Sequence, residues 1–300
     1  MAGPHAAQTP AEIAALAARH GLEVDARGLT VEEAGLDFRV AFAEDASGRS
    51  WVLRVPRRPD AARRAAGEAR ILRLVSGRIP AAVPDWRIHT AELIAYPLLP
   101  GRPGLTVRDG GPVWHFDRSS SEYCASLGRL LAQLHAIDPD EARRSGVPFA
   151  TPERVRQSFA EDVERVLSEF VVPRAAEAAW RARLDDDALW PERTVMTHGE
   201  PYPAHLLLDD GDRIASVLDW TTARVWDPAV DFTAHWQTST PEAFAATLRA
   251  YADAGGAETE DLAARCAAVA ASSGLAYALF ALETGEPDHV AAAGALLADA

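Results

Sequence analysis

The fold that the sequence predicts is decided by residues 198–231, HGEPYPAHLLLDDGDRIASVLDWTTARVWDPAVD. Two short apolar runs, at 206–208 and 214–218, are joined by an Asp/Gly turn, which is the pattern of a β-hairpin. His205 precedes the first run and Asp219 follows the second, so both are expected at the open end of the hairpin. Glu200 lies on the loop that leads in. Two carboxylates and an imidazole at one mouth can hold a divalent metal ion and a reacting hydroxyl group.

These motifs together resemble the antibiotic kinases with a protein-kinase-like fold, whose catalytic loop is usually written H-G-D-x-x-x-x-N. A His in place of the Asn, here His205, resembles the macrolide 2'-phosphotransferases in particular. So does the continuation DWTTA at 219–223 and DPAVDF at 227–232. The combination is far more specific than any one motif. The sequence departs from the family at one position, because the catalytic Asp of the family is Glu200 here.

The resemblance implies a role for each polar residue of this stretch. Glu200 is expected to be the catalytic base, and His205 and Asp219 are expected to bind Mg²⁺. His198 and Asp231 are assigned to the catalytic group, each with a structural alternative. His198 would brace the loop, and Asp231 would tie the loop's backbone together.

The resemblance covers nearly the whole chain and implies an α+β, two-lobed, protein-kinase-like fold. A small N-lobe with a mixed β-sheet is predicted over residues 1–99, with the hinge at about 95–101. A mainly α-helical C-lobe over 102–300 would hold the catalytic loop and a macrolide cleft. The alternation of Phe38, Val40 and Phe42 predicts the first strand of the N-lobe.

The residues expected to bind the nucleotide lie in the N-lobe and the hinge: Gly35, Asp37, Phe38, Arg54, Glu68, Tyr96 and Leu98. Arg54 stands where kinases carry a strand lysine, and Glu68 where a helix glutamate pairs with it. Such a cation can contact the phosphates. Without the resemblance, Arg54 would be interpreted as an exposed strand cation and the turn at Gly35 as an ordinary hairpin turn.

The remaining chain is predicted to be helical, with Pro-initiated helices at Thr9, Thr151 and Thr240 and a capping box from Ser119 to Glu122. The last helical region is expected to place Cys266, Val269, Tyr277 and Phe280 on one face. The residues proposed to contact the substrate are Tyr202, Trp236, Tyr277 and Phe280. For the last three, ordinary core packing is the alternative.

Composition limits the class of protein. The net charge of −14 argues against nucleic acid as a partner, because nucleic-acid binding depends on basic patches. Two cysteines, Cys124 and Cys266, predict buried thiols in a reducing compartment. The uncharged stretch 266–282 is interpreted as a core helix rather than a membrane span, and no signal peptide is recognised. A cytoplasmic monomer is therefore expected.

The implied reaction is transfer of the γ-phosphate of GTP, with ATP as the alternative donor, to the 2'-hydroxyl of a macrolide's desosamine sugar. Three alternatives stay open. The chain could phosphorylate another hydroxyl compound, such as an aminoglycoside or a small metabolite. It could bind a nucleotide without catalysis, because Glu200 replaces the Asp of the family. It could also be an α/β enzyme unrelated to kinases.

Overall fold

The computed structural model describes residues 9–33, 37–108, 110–257 and 260–298. The first helix, α1 (Pro10–Arg19), begins at the predicted capping box. The Thr9 side chain accepts a hydrogen bond from the Glu12 amide, and the Glu12 carboxylate accepts one from the Thr9 amide at 2.7 Å. These two bonds satisfy amides that a helix start leaves without partners.

The first sheet is antiparallel and is built from β1 (Thr30–Glu32), β2 (Phe38–Glu44), β3 (Ser50–Pro56), β4 (Ile88–His89) and β5 (Ile94–Pro97). Its strand order is β1-β2-β3-β5-β4. Side chains alternate between two buried faces, so that Ala41 and Leu53 pack with α1, whereas Phe38 and Val52 pack with helix α2 (Pro59–Val75). Helices therefore cover both faces of the sheet, and the predicted mixed lobe is confirmed.

The rest of the chain is mainly helical. Its helices are α3 (Ser121–His135), α4 (Pro139–Arg144), α5 (Pro152–Glu169), α6 (Arg174–Asp185), α7 (Ala229–Thr238), α8 (Pro241–Asp253), α9 (Leu262–Ala271), α10 (Ser273–Thr284) and α11 (Pro287–Ala298). Thr151 and Thr240 cap α5 and α8 as predicted. The predicted capping box from Ser119 to Glu122 is wrong by one residue, because the N-cap of α3 is Ser120. The Glu122 carboxylate instead pairs with Arg213 at 2.7 Å.

Short strands complete this region: β6 (Arg102–Pro103), β7 (Leu105–Arg108), β8 (Gly111–Trp114), β9 (Val195–Thr197), β10 (Leu206–Leu208), β11 (Ile214–Val217) and β12 (Arg224–Trp226). The predicted hairpin is confirmed as β10 and β11, and β6 pairs with the other edge of β10. Strand β12 pairs with β9, which places residues 197 and 224 opposite each other just before the loop at His198.

The last helical region differs from its prediction. The stretch interpreted as one core helix breaks near Ser272 into α9 and α10, which bend by 49°. Cys266 and Val269 therefore join the main core of the C-lobe, whereas Tyr277 belongs to a second cluster with α5, α6 and α11. In the described part of the chain no single helix could cross a membrane, and only this bent pair has the length and composition to do so.

Candidate active site

Asp219 lies two residues after the end of β11, at the open end of the hairpin, where the Leu218 amide bonds to the His205 carbonyl. Its φ of 55° is left-handed, a conformation that Asp tolerates when its side chain bonds to the local backbone. One carboxylate oxygen accepts from the Thr221 amide at 3.2 Å and from the Thr221 hydroxyl at 2.6 Å. Burial raises the pKa of Asp219, but Thr221, His205 and Arg54 outweigh it, so the net pKa is lowered and the group is ionised.

His205 faces this carboxylate as the sequence predicted. Its Nε2 lies 3.6 Å from Asp219 Oδ2. Its Nδ1 lies 3.0 Å from the Glu200 carbonyl, which can only accept, so we assign the proton to Nδ1. When the ring carries only this proton, the Nε2 lone pair faces a carboxylate oxygen, and a cation between the two atoms would satisfy both.

This donor set fits Mg²⁺ that arrives with a nucleotide. Among the described residues, no group of three or more His, Cys, Asp or Glu is arranged to hold a metal ion. Mg²⁺ commonly takes one or two protein ligands and completes its shell with water and phosphate oxygens. Asp219 is the expected hard ligand, and His205 is the less usual one.

Glu200 is exposed on the loop, and its backbone is fixed from both sides. Its amide donates to His198 Nδ1 at 3.2 Å, and its carbonyl accepts from the Tyr202 amide at 2.9 Å. Although the side chain is open to solvent, partial desolvation raises its pKa; His205 opposes this rise and Asp219 adds to it. The loop thus presents a carboxylate beside the two proposed metal ligands.

His198 has the geometry of a brace. Its ring is buried, with Nε2 2.9 Å from the Leu218 carbonyl and Nδ1 accepting from the Glu200 amide. Both nitrogens are therefore used within the protein, and the ring is assigned as neutral with the proton on Nε2. Burial lowers the pKa of His198 despite the nearby Asp231 charge. These contacts favour loop bracing over proton transfer.

Asp231, on α7, lies beneath the loop and is 1% exposed. One oxygen accepts from the Gly199 amide at 2.7 Å, and the other from the His198 amide at 2.9 Å. His135 Nε2 lies 3.1 Å from the second oxygen, and His135 Nδ1 lies 3.0 Å from the Tyr251 hydroxyl. Of the two roles open from sequence, this geometry favours tying the backbone, which makes Asp231 a positioning residue.

Asp231→Asn is expected to lower the free energy of unfolding by about 1–3 kcal/mol, because one amide would face the new NH₂ group without an acceptor. Exchange of the His198 and Gly199 amide protons should accelerate beyond this global effect. Hydrogen exchange and urea unfolding measure both, with the exposed Asp140→Asn as control. Unchanged exchange at the two amides would contradict the assigned role.

Arg54 and Glu68 form the predicted pair between β3 and α2. Arg54 Nη1 lies 3.1 Å from each Glu68 oxygen, and the two side chains are 14% and 1% exposed. Burial lowers the pKa of Arg54, but the Glu68 carboxylate more than restores it, and the guanidinium stays charged. The chain contains no lysine, so no other residue of that type can fill this place. The Trp220 backbone also hydrogen-bonds to Glu68, which links α2 to the residue after Asp219.

Other residues predicted to bind the nucleotide lie in different surroundings. The Phe38 ring is buried beneath Arg54, whose guanidinium carbon lies 4.3 Å from the ring centroid. Asp37 pairs with Arg58 at 2.7 Å, so its carboxylate already has a cationic partner. Gly35 lies outside the described residues. Phe38 therefore acts by supporting Arg54. Asp37 is a carboxylate that is already paired with Arg58, so it does not itself attract a phosphate.

The two hinge residues differ from each other. Tyr96 is buried between the sheet and α2, and burial raises its pKa to about 12. The charge of Arg54 opposes this rise in the pKa of Tyr96, and the charges of Glu68 and Asp219 add to it. Leu98 is 48% exposed, and its amide donates to the Ser50 carbonyl at 2.9 Å. Leu98 can therefore meet a base through its side chain but not through its amide.

The proposed substrate residues do not lie together. Tyr202 packs edge-on against His205 at 4.4 Å between centroids and is therefore part of the loop. Trp236 packs partly buried against the main core. Tyr277 and Phe280 stack on each other, and both contact His289 on α11. For Trp236 and Tyr277 the contacts are those of the core-packing alternative, whereas Phe280 is half-buried and contacts Tyr277 and His289.

Sequence reasoning missed the supporting roles of four residues. Thr221 holds the Asp219 carboxylate, and Thr222 donates to the His198 carbonyl at 3.0 Å. Both lie in the quoted DWTTA motif, so the motif itself was the available signal. His135 gave no separate signal, because it ends an apolar helical stripe 96 residues before Asp231. Gly199 has φ 91°, and a Cβ there would come within 2.7 Å of the Thr222 carbonyl.

A sheet-containing lobe with a buried Arg–Glu pair, joined to a helical lobe with this loop and hairpin, defines a kinase-like phosphotransferase. The model of the phosphotransferase enzyme family matches residues 29–267, and the chain belongs to that family.

Three proteins illustrate what the chain is similar to. The macrolide 2'-phosphotransferase MphH from Brachybacterium faecium is 50% identical, with a TM-score of 0.90 over 95% of this chain and 96% of that one. A structure of macrolide 2'-phosphotransferase type I is 41% identical, with a TM-score of 0.89 over 96% of each chain. The protein YcbJ of Bacillus subtilis (strain 168), itself uncharacterised, is 37% identical over 93% of this chain and 92% of its own.

Aminoglycoside kinases share the fold at greater distance. A GDP complex of aminoglycoside 2'-phosphotransferase-IIIa is 16% identical, with a TM-score of 0.76 over 97% of this chain and 98% of that one. This likeness confirms the two-lobed, kinase-like fold. Family membership and the macrolide 2'-phosphotransferase structures support a phosphotransferase of the macrolide 2'-phosphotransferase type.

Proposed function

We propose that this chain transfers the γ-phosphate of GTP to the 2'-hydroxyl of the desosamine sugar of macrolide antibiotics, using Mg²⁺, and thereby confers resistance. The observation that carries the proposal is the 41–50% identity to two macrolide 2'-phosphotransferases over at least 95% of the chain. The placement of Glu200, His205 and Asp219 around one mouth supports it.

The chemistry follows from this placement. Glu200 orients the acceptor hydroxyl and takes its proton as the hydroxyl oxygen bonds to the γ-phosphorus and the bond to the β-phosphate oxygen breaks, releasing GDP. Bound Mg²⁺ supplies charge neutralisation at the phosphate oxygens. Asp219 and His205 would hold the ion, while Arg54, fixed by Glu68, supplies a further positive charge for the phosphates.

The hinge offers the purine one acceptor and one donor. Alternate residues of a strand direct their backbone groups to opposite sides. Because the Leu98 amide bonds to β3, the Pro97 carbonyl and the Leu99 amide face the open side. Guanine can meet this pair through its N1–H and O6, and adenine through its amino group and N1. These two hinge contacts therefore do not distinguish GTP from ATP. The proposal of GTP as the donor rests on the family resemblance.

The test is nucleotide consumption with Mg²⁺, using GTP and ATP in parallel, with erythromycin, kanamycin or no acceptor. We expect GTP consumption that depends on erythromycin and a phosphorylated macrolide in the mass spectrum. Turnover only with kanamycin would replace the macrolide by an aminoglycoside. Nucleotide binding without turnover would favour the non-catalytic relative that Glu200 suggests.

We also propose that the protein works as a cytoplasmic monomer. Its proposed donor is a cytoplasmic nucleotide, and Cys124 and Cys266 are both buried free thiols. Size-exclusion chromatography with light scattering tests the oligomeric state, and cell fractionation tests the location.

Arg54→Ala is expected to raise the KM for the nucleotide about tenfold or more, since a charge-assisted contact is worth ~1.5–3 kcal/mol. The KM for the macrolide should change little. Removing the cation also leaves Glu68 buried without its partner, which should cost about 3–5 kcal/mol of stability. Arg54→Ala combined with Glu68→Gln should recover part of that stability but not the nucleotide KM. Wild-type nucleotide kinetics in Arg54→Ala would remove Arg54 from the site.

A further inference from the structure

A cavity of about 390 Å³ lies against the face of α2 opposite Glu68. Its walls are one face of α2, including Ala66 and Ala69, and the segment that leads into β4, including Pro84 and Trp86. This volume falls within the ~300–1,000 Å³ of small-molecule sites. None of the residues assigned above to the catalytic loop or hinge lines it. We call it the α2 cavity.

The α2 cavity is charged in a way that is unusual for this acidic protein. Arg70 and Arg73 line it, both are exposed, and neither has a carboxylate partner within the described part of the chain. The one carboxylate of the wall, Asp85, pairs with Arg87. Arg73 Nε donates to the Ala69 carbonyl at 3.2 Å, and Arg70 lies beside Gly146, where a Cβ would come within 3.1 Å of Arg70 Nε. The Nη groups of Arg73 remain for an anion, and a guanidinium group can bind a carboxylate with two parallel hydrogen bonds.

The wall opposite α2 is aromatic. The rings of Trp86 and His89 pack edge to face at 4.8 Å between centroids. The Trp86 Nε1 is buried and has no hydrogen-bond partner among the described residues. Because this nitrogen is shielded from solvent, a ligand in the cavity would meet the ring rather than the N–H, and a flat ring would cover the aromatic surface.

Trp86 connects the cavity to the phosphate-binding side of the lobe. The guanidinium carbon of Arg54 lies 5.7 Å from the Trp86 ring centroid. Helix α2 makes a second connection, because Glu68 lies on the helix face opposite Ala66, Arg70 and Arg73. A ligand in the cavity would therefore contact both elements that position Arg54.

We propose that the α2 cavity is a second binding site, for a small aromatic carboxylate that packs on Trp86 and pairs with Arg70 and Arg73. Its occupancy changes the affinity of the chain for the nucleotide through Trp86 and α2. The binding itself does not depend on the proposed function, whereas the coupling rests on the nucleotide site proposed above.

Binding is tested by calorimetry on the full chain without nucleotide, with indole-3-carboxylate as the probe. We expect one site per chain, and binding about tenfold weaker in Arg70→Gln and in Arg73→Gln, as for loss of a charge-assisted bond. Arg27→Gln, with a side chain 96% exposed, is the matched control and should bind normally. Indole-3-carboxamide, which lacks the charge, should also bind about tenfold more weakly. Absence of probe binding, or equal binding by wild type and the Arg70→Gln/Arg73→Gln double variant, would overturn the site.

Coupling is tested by measuring the affinity for GDP with and without saturating indole-3-carboxylate. A shift of about fivefold or more is expected, with the same factor when the order of addition is reversed, because coupling between two binding sites is reciprocal. Arg73→Gln should keep the wild-type GDP affinity but lose the shift. If the probe binds and GDP affinity stays constant, the coupling is wrong. If GDP does not bind at all, the coupling and the proposed function both fail, and the carboxylate site is judged by its own titration.

Discussion

Asp219→Asn is expected to reduce macrolide-dependent GTP turnover by roughly 10³-fold or more while leaving the fold intact. The substitution removes the charge but keeps an oxygen that can accept from Thr221. Asn also tolerates the left-handed φ of 55° at this position. The loss should therefore report on the charge facing His205 rather than on the turn. Turnover at saturating substrates and Mg²⁺, together with thermal unfolding, measures the two effects.

The same hairpin provides a matched control. Asp212 also has a left-handed backbone, with φ 61°, but lies in the turn at the other end of β11. Asp212→Asn should therefore keep near-normal turnover with a similar change in stability. Near-normal turnover in Asp219→Asn would show that the metal site is assigned wrongly. An equal loss in both variants would point to the hairpin's conformation rather than to the charge of Asp219.

The hairpin was predictable because its pattern is local. Turn residues between two apolar runs fix the strands, and the register then brings the flanking residues, His205 and Asp219, together. The Arg54–Glu68 pair could be located only through the family resemblance, since 14 residues and a change from strand to helix separate its members. Local patterns thus located His205 and Asp219, whereas the Arg54–Glu68 pair was located through the resemblance.

The features that sequence did not predict depend on tertiary packing. His135 on α3 meets Asp231 on α7 and Tyr251 on α8 only in the folded chain, where α3 and α8 cross so closely that a Cβ on Gly128 would lie 2.6 Å from the Thr247 carbonyl. The break between α9 and α10 is similar, because an Ala-rich stretch satisfies helical periodicity on either side of Ser272. Neither a helix crossing nor a bend is encoded in the periodicity of one segment.

The hinge shows a third limit. Composition identified an apolar strand ending near Pro97, but it did not fix which residues direct their backbone groups towards β3. The hydrogen bond from the Leu98 amide to the Ser50 carbonyl shows that the Leu98 backbone faces β3. The purine contacts are therefore expected at the residues on either side of Leu98. A shift of one residue along a strand exchanges its two sides, so this detail needs the register itself.

The loop around Glu200 is held more firmly than its sequence alone indicates. Pro201 and Pro203 are buried, and the Pro203 carbonyl accepts from the Leu105 amide at 3.2 Å. A Cβ on Gly104 would come within 3.1 Å of that same carbonyl, so the β7 side closes against the loop. The backbone of Glu200 is thus fixed in place, and the reach of its side chain decides where the carboxylate lies.

Glu200→Gln is expected to reduce macrolide-dependent GTP turnover by about 10²–10⁴-fold, the usual contribution of a general base. The nucleotide KM should change little, because the phosphate side of the site is untouched. Gln keeps the length of the side chain and its hydrogen-bonding oxygen, so the loss isolates proton acceptance. Activity that survives in this variant would show that Glu200 is not the base.

Glu200→Asp tests whether the longer side chain is adapted to this loop. Glu exceeds Asp by one carbon–carbon bond, roughly 1.5 Å, and misplacement by ~1 Å can cost on the order of 10²-fold. Since the loop backbone is fixed, we expect the shorter carboxylate to fall short of the hydroxyl and to lower turnover about 10²-fold, with unfolding unchanged. If wild type is inactive and Glu200→Asp gains turnover, the loop was positioned for Asp, and the natural chain is a nucleotide-binding relative without catalysis.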